Sequence, residues 1–329
     1  MDKKTRVLNA LNKKPVDHAP VGFWFHFFDK ANDNDACVQA HVDYYNSVDV
    51  DFVKVMSDGY FGFPVDDVKV ESVADLAKIK PIGKDHPWIR EQVYRAKKVV
   101  EALGKDRLVF YTLFNPLTAL RSGFINDPRH ADEILTAYTK EDKETVKRTL
   151  KVVADGIVLL SEQIIKEAGC DGLYLSLQNA EVERFTAEEY NDIVAPSERY
   201  VLDEINKLSE NNILHCCGFM GTPNRVSLWY DYPVKCVNWA TAVENLPLYE
   251  GKPLFGDKAV LGGFDTHWEM NGDTRGIVYS GTKEEIQAYT RELIINTGKI
   301  GLLIGGDCTL EHHIDYERLR WIVEAAKSL

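Results

Sequence analysis

Short apolar runs rich in β-branched and aromatic residues alternate along the chain with longer stretches whose apolar positions recur every three or four residues. The short runs fall at 20–26 (PVGFWFH), 51–57 (DFVKVMS), 108–114 (LVFYTLF) and 172–177 (GLYLSL), and again at 212–218 (NILHCCG), 235–240 (KCVNWA), 259–265 (AVLGGFD) and 300–306 (IGLLIGG). Most are continuous rather than alternating with polar residues, as expected of strands buried on both faces of a parallel sheet. Residues 140–169 carry the clearest helical period between them, and Gly169 sits where such a helix should stop. Residues 282–298 repeat the device, with Thr282 as N-cap, Glu285 three positions on and Gly298 at the end.

Eight strands, each followed by a helix-compatible stretch, predict an α/β fold, a single (β/α)8 TIM barrel over residues 1–329. The amphipathic segment before Pro15 reads as an N-terminal helical extension. An open doubly wound sheet is the alternative. It is disfavoured because no G-x-G-x-x-G follows the first strand and no G-x-x-x-x-G-K-[ST] occurs, the GTK at 281–283 lacking the upstream glycine. No linker, low-complexity run or short-period repeat divides the chain.

Composition changes the picture in three ways. A net charge of −12 argues against nucleic acid or an anionic membrane surface as partner. No apolar stretch approaches the length that spans a bilayer, and the basic N-terminus has no apolar core behind it. Cys37, Cys170, Cys216, Cys217, Cys236 and Cys308 are scattered through a long acidic chain, which points to reduced thiols and a cytoplasmic protein.

In such a barrel the chemistry belongs at the C-terminal strand ends. At the fifth, alternation puts His215 and Cys217 on one face and Cys216 on the other. The two inward residues stand about 7 Å apart along the backbone, close enough for both to lean onto one zinc ion. Alone, H-x-C is weak, because buried cysteines also serve as small hydrophobes. At the eighth strand, GGDCTLEHH (305–313) brings Asp307 and Cys308 to the mouth, although a glycine turn with a capping side chain reads equally well. Together, His215, Cys217 and Cys308 make three soft ligands and leave one position open, the pattern of a catalytic zinc. Cys236 starts its strand and lies at the wrong end. Three further clusters fall at the mouth: SDGYFGFP (57–64) with Asp58, Tyr60 and Phe61; GGFDTHWE (262–269) with Asp265 and His267; and FWFHFFD (23–29) with Trp24 and His26. Each has a bland reading as turn or core.

These residues resemble the uroporphyrinogen decarboxylase superfamily nearly end to end. Ser57-Asp58 is similar to that family's F-S-D turn, NPLTAL (115–120) stands at its G-P-W-T-L, and VNWAT (237–241) at its L-D-W. LGGFD (261–265) and LLIGGDCTL (302–310) stand at Q-G-N-L-D and N-L-G-H-G. The resemblance implies the same barrel. It also marks departures: the arginine-rich segment that holds the decarboxylases' substrate carboxylates is replaced here by PVGFWFHFFDKAND, which has no arginine. The family's tyrosine falls near Ser122 and its late histidine at Asp307 or Cys308, so that Asp58 alone remains.

H-x-C with a distant cysteine instead resembles the zinc site of the superfamily's corrinoid-dependent methyltransferases and of cobalamin-independent methionine synthases. That resemblance implies zinc held by His215, Cys217 and Cys308, with Asp307, His313 or the substrate as fourth ligand. It implies a methyltransferase moving a methyl group between a methyl ether, alcohol, amine or thiol and a corrinoid. The cobalamin would be carried by a partner protein, since the chain has no D-x-H-x-x-G. Asp58 and Asp307 are then the catalytic candidates. Trp24, His26, Tyr60, Phe61, Asn115, Gln178, Asn238, Asp265 and His267 are the candidates for substrate contact. A tetrapyrrole decarboxylase using Asp58, and a non-catalytic zinc or corrinoid carrier, are the alternatives.

Overall fold

The computed structural model describes residues 1–65, 68–125, 127–256, 258–266 and 276–329. The eight expected strands all form: β1 (Val21–Gly22), β2 (Phe52–Val55), β3 (Leu108–Phe114), β4 (Gly172–Leu177), β5 (Ile213–Cys216), β6 (Cys236–Trp239), β7 (Ala259–Phe264) and β8 (Leu302–Gly306). They make one parallel sheet in the order β1-β8-β7-β6-β5-β4-β3-β2. Its two end strands meet without a regular ladder. The seam is closed by Asp51, whose N–H donates to Val21 O (2.7 Å) and whose carboxylate accepts from Val21 N (2.7 Å).

Alternation along each strand divides the core in two. Inside the barrel lie Phe52, Met56, Phe110, Tyr174, Ile213, Cys236, Leu261 and Leu303. Their odd neighbours, among them Val53, Val109, Leu175, Cys216 and Trp239, face the surrounding helices. The N-terminal helix α1 (Lys3–Leu11) belongs to the inner layer, because Val7, Ala10 and Leu11 share its cluster and stopper the barrel from below. Arg6 of α1 bonds the seam residue Asp51 and also Asp17.

Local signals explain most helix ends. Thr282 and Glu285 form the expected capping box of the helix Lys283–Thr297, and Gly298 ends it at φ +79°. The helix expected over 140–169 forms as Lys143–Lys166, and a separate helix, Pro128–Glu141, ends just before it. Asp142 breaks the run by turning to φ −149° and accepting the Thr145 N–H as an N-cap, a role its short carboxylate fills better than a helix interior. Gly169 (φ +82°) follows the second helix. Among the described residues no helix is long and apolar enough to cross a membrane, and all six cysteines are free thiols.

One buried histidine ties the fold to the mouth. In the helix Asn34–Ser47, His41 sets Nδ1 against Cys37 O (2.8 Å), while Nε2 accepts the Met56 N–H (3.0 Å) just before Ser57-Asp58. Both nitrogens are thus satisfied by the neutral ring, and burial pushes its pKa down to about 4 from 6.5. Between those values the unfolded chain takes a proton that the folded chain refuses, so stability falls with acidification across that window. The cost is on the order of 3 kcal/mol, from about 1.4 kcal/mol per unit. Denaturant melts of wild type and His41→Gln at pH 7 to 4 should show the variant losing less stability on acidification. Parallel profiles would reject this assignment.

Candidate metal centre

The site grows from two strand ends. Past β5 the alternation continues, so His215 and Cys217 point inward and Cys216 joins the outer core. Cys217 N donates to Leu177 O (2.9 Å), which keeps it in register beside β4. Gly218 then lets the chain turn, since a Cβ there would come within 2.7 Å of Ala240 Cβ. Across the mouth, Gly305-Gly306 leads β8 to Cys308, whose N–H donates to Thr266 Oγ1 (3.0 Å). One ligand atom from each of His215, Cys217 and Cys308 lies within 4.8 Å of the others.

Zinc fits this donor set. Two thiolates each about 2.3 Å from one tetrahedral ion stand about 3.8 Å apart, and the Cys217 and Cys308 sulfurs are 3.9 Å apart. His215 and Cys217 are buried, and Cys308 is half-buried on the cavity side. Among the described residues no fourth histidine, cysteine or carboxylate joins the group.

The histidine's tautomer follows from Asn238 on β6. Its amide NH2 donates to Leu261 O (2.8 Å) and Gly306 O (3.1 Å), which fixes the side chain's orientation. Oδ1 therefore faces His215 Nδ1 and accepts from Tyr174 Oη (2.7 Å). His215 must carry its proton on Nδ1, leaving the Nε2 lone pair toward the cysteines. This packing demands Gly262: at φ +134°, a Cβ there would stand 2.9 Å from Asn238 Nδ2.

The two sulfurs interact directly. Their bond holds Cys308 well below the usual thiol range against the opposing effect of burial, with His215 assisting. The same bond, with burial, pushes Cys217 well above it. Gln178 supports Cys217 by donating from Nε2 to Sγ (3.6 Å), while its Oε1 accepts from Arg121 (2.5 Å).

The trio closes one end of a cavity of about 340 Å3. Its walls are largely apolar, with Phe28, Phe61, Phe114, Phe219 and Met56, and its polar groups include Thr112, Thr118, Ser176 and Gln178. At the barrel axis it meets Lys54, whose Nζ stands 3.8 Å from the Tyr174 ring centre and 4.6 Å from that of Trp24. Burial lowers the Lys54 pKa to about 7, opposed by the charges of Cys308, Cys217 and Asp58. A larger, open groove of about 780 Å3, with Arg129, Asp132, Lys140 and Glu181, adjoins this cavity at Phe219 and contains none of the soft ligands.

Of the residues expected to touch substrate, His26, Phe61 and Gln178 line the cavity. Others are placed differently. Trp24 is sealed in the barrel interior beneath it. Tyr60 turns outward, its hydroxyl on Glu91 (2.8 Å) and Asn34 (3.1 Å). Asn115 caps the helix Pro116–Phe124 and donates to buried Glu198 (2.5 Å), so its side chain serves the wall rather than the cavity. Asn238 is fully buried behind His215. Asp265 is half-buried and outside the cavity lining. His267 lies outside the described residues.

Neither expected catalytic carboxylate faces the cavity. Asp58 is fully buried behind His26, with Oδ1 on His26 Nδ1 (2.6 Å) and Oδ2 accepting from Phe27 N (2.7 Å). Burial raises its pKa, but these bonds and the histidine outweigh it and hold Asp58 below the usual carboxylate range. Asp307 is also fully buried, accepting from Thr241 Oγ1 (2.5 Å), Ala242 N (3.1 Å) and Gly263 N (3.1 Å). It pins the β6 and β7 ends together, and burial raises its pKa to about 6. His313, the other candidate fourth ligand, is exposed.

Sequence reasoning missed Lys54, Arg121, Thr112, Ser176 and Phe219, all of which line the cavity. Only Lys54 left a usable signal, a lone charge at an inward position of an otherwise apolar strand.

The family model for uroporphyrinogen decarboxylase (URO-D) matches residues 2–329. No curated protein matches the sequence. Among solved structures, a methyltransferase from Methanosarcina mazei superposes with a TM-score of 0.78 at 14% identity, covering 100% of this chain and 99% of its own. A B12-independent methionine synthase from Shewanella sp. W3-18-1, in complex with selenomethionine, gives 0.59 at 13% identity, covering 95% and 94%. An endo-glycoceramidase II from Rhodococcus sp. gives 0.51 at 9%, covering 92% and 78%. At these identities the structures share the barrel.

Proposed function

Because the chain belongs to the uroporphyrinogen decarboxylase family, we propose that it is a zinc-dependent methyltransferase of that family, moving a methyl group between a small substrate and a corrinoid protein. The observation that carries this reading is the convergence of His215, Cys217 and Cys308 within 4.8 Å at the end of a cavity. That two structural neighbours are a methyltransferase and a B12-independent methionine synthase supports it. So does the cavity lining, in which Lys54 and Arg121 are the only lysine and arginine side chains. Two such cations match an eight-carboxylate tetrapyrrole poorly.

His215, Cys217 and Cys308 would hold the zinc, which would supply Lewis acidity to lower the pKa of a thiol acceptor or polarise the heteroatom of a methyl donor. The protein's own groups do the rest. Asn238 keeps the Nε2 lone pair of His215 aimed at the ligand position. Phe28, Phe61, Phe114 and Phe219 exclude water and favour an apolar or aromatic body. His26, its Nδ1 held by the ionised Asp58, takes or gives a proton at Nε2 as the heteroatom gains or loses its methyl group. Asp58 is thus a positioning residue. In this reading the protein works in the cytosol, where its cysteines stay reduced, with a separate protein carrying the corrinoid.

The test offers zinc-loaded protein and free cob(I)alamin to methanol, methylamines, aromatic methyl ethers and methyl thioethers, with corrin methylation followed by absorbance. Turnover with one donor class, abolished in Cys308→Ser, is expected. Absence of methylation with every donor, together with conversion of uroporphyrinogen to coproporphyrinogen, would replace this reading with the decarboxylase.

A further inference from the structure

Lys54 is the one cavity cation whose charge has no partner among the described residues. It occupies an inward position on β2 between Phe52 and Met56, both of which pack into the barrel interior. Its side chain is 4% exposed, and what exposure remains opens into the cavity. The ammonium finds only ring faces, those of Tyr174 and Trp24. Arg121, the other cation in the wall, differs: it is paired with Asp132 (2.9 Å) and bonds Gln178.

Burying an ammonium without an acceptor is among the costliest arrangements in a protein interior, and a methionine would fill the same space without that cost. Cation–π contacts recover only part of it. Nor is the charge needed by the metal ligands, because two cysteine thiolates already neutralise a divalent ion.

We propose that Lys54 is a specificity-determining residue and that the substrate carries a carboxylate which settles on its Nζ. The carboxylate reaches the barrel axis, the apolar body lies against Phe61 and Phe114, and the reacting heteroatom turns toward His215, Cys217 and Cys308. The substrate class is therefore a small monoanionic carboxylic acid, aromatic or apolar in its middle. This deepens the methyltransferase reading and rests on it for the reacting end, while the carboxylate subsite stands on the cavity alone.

The experiment compares two probes of one shape, 4-methoxybenzoate and 4-methoxybenzamide, by calorimetric titration of full-length wild type and Lys54→Met. Wild type should bind the carboxylate at least tenfold more tightly than the amide. Lys54→Met should bind both alike, with amide affinity unchanged. Equal binding by wild type, or a preference that survives in Lys54→Met, would overturn the proposal. Should Lys54→Met fail to fold, a crystal structure of wild type with 4-methoxybenzoate decides: carboxylate oxygens on Lys54 Nζ support it, and a carboxylate turned to Arg121 or to solvent overturns it. Neither measurement requires methyl transfer. A zinc-free chain that still prefers the carboxylate rejects the methyltransferase reading alone, whereas a zinc-loaded chain indifferent to charge rejects the subsite alone.

Discussion

Protein purified without chelator should carry about one zinc per chain by mass spectrometry, and both Cys217→Ser and Cys308→Ser should lose it. Serine keeps the size of each side chain but offers no thiolate, and the remaining two ligands are too few for a closed bite on the ion. The loss should exceed the roughly 10–100-fold that removal of an outer hydrogen-bond partner costs. Cys216→Ser is the internal control, because that thiol is completely buried in the outer core. It should keep its zinc while losing some stability. Zinc-free wild type, or zinc retained by both site variants, would remove the metal centre and the methyltransferase reading with it.

The second large effect belongs to a residue that touches no ligand. Asn238→Ala should both destabilise the fold and weaken zinc binding. The change strands the Nδ1–H of His215 and the hydroxyl of Tyr174, and it leaves the carbonyls of Leu261 and Gly306 without their donor. Buried groups left unpaired cost roughly 1–3 kcal/mol each before relaxation, so a loss of about 2–4 kcal/mol is expected. Zinc affinity should drop by roughly 10–100-fold. Asn238→Asp separates the two roles. Its carboxylate still accepts from His215 and Tyr174 but cannot donate to the carbonyls. Zinc affinity near wild type with reduced stability is therefore expected, read by competition with a chelator beside a denaturant melt. If Asn238→Ala binds zinc as tightly as wild type, the tautomer of His215 is set by something else.

The convergence of the three candidate ligands was legible in the sequence because strand alternation is local: once NILHCCG is a strand, the facing of His215, Cys216 and Cys217 follows. The barrel was legible for the same reason, repeated over eight strands. What escaped was anything decided by rotamer or by a partner far along the chain. Asp58 and Asp307 stand at the strand ends where catalytic carboxylates belong, yet backbone N–H groups and His26 or Thr241 turn both away from the cavity. Asn115 and Asn238 are polar at the mouth and still structural, since each faces a buried acceptor or donor that no pattern of spacing reveals. Trp24 shares a stretch with His26 but faces the interior layer beneath the cavity. Lys54 was passed over inside DFVKVMS because a strand-forming run absorbs one charged residue without changing its period.

The seam between β1 and β2 gives the barrel two unequal halves. Both strands that lead to the candidate ligands have laddered neighbours on either side. The chain segments that carry His26 and Asp58 leave from strands that share no ladder and are tied instead by two buried carboxylates, Asp51 alongside the strands and Asp58 at the mouth, where it bonds His26 and Phe27. A shear along that line would cross no ladder, but it would have to break the two buried bonds of Asp58. The three candidate ligands thus stand on continuous sheet, whereas the His26 side of the mouth owes its continuity to two carboxylates, one of them gripped by α1 from the opposite end of the barrel.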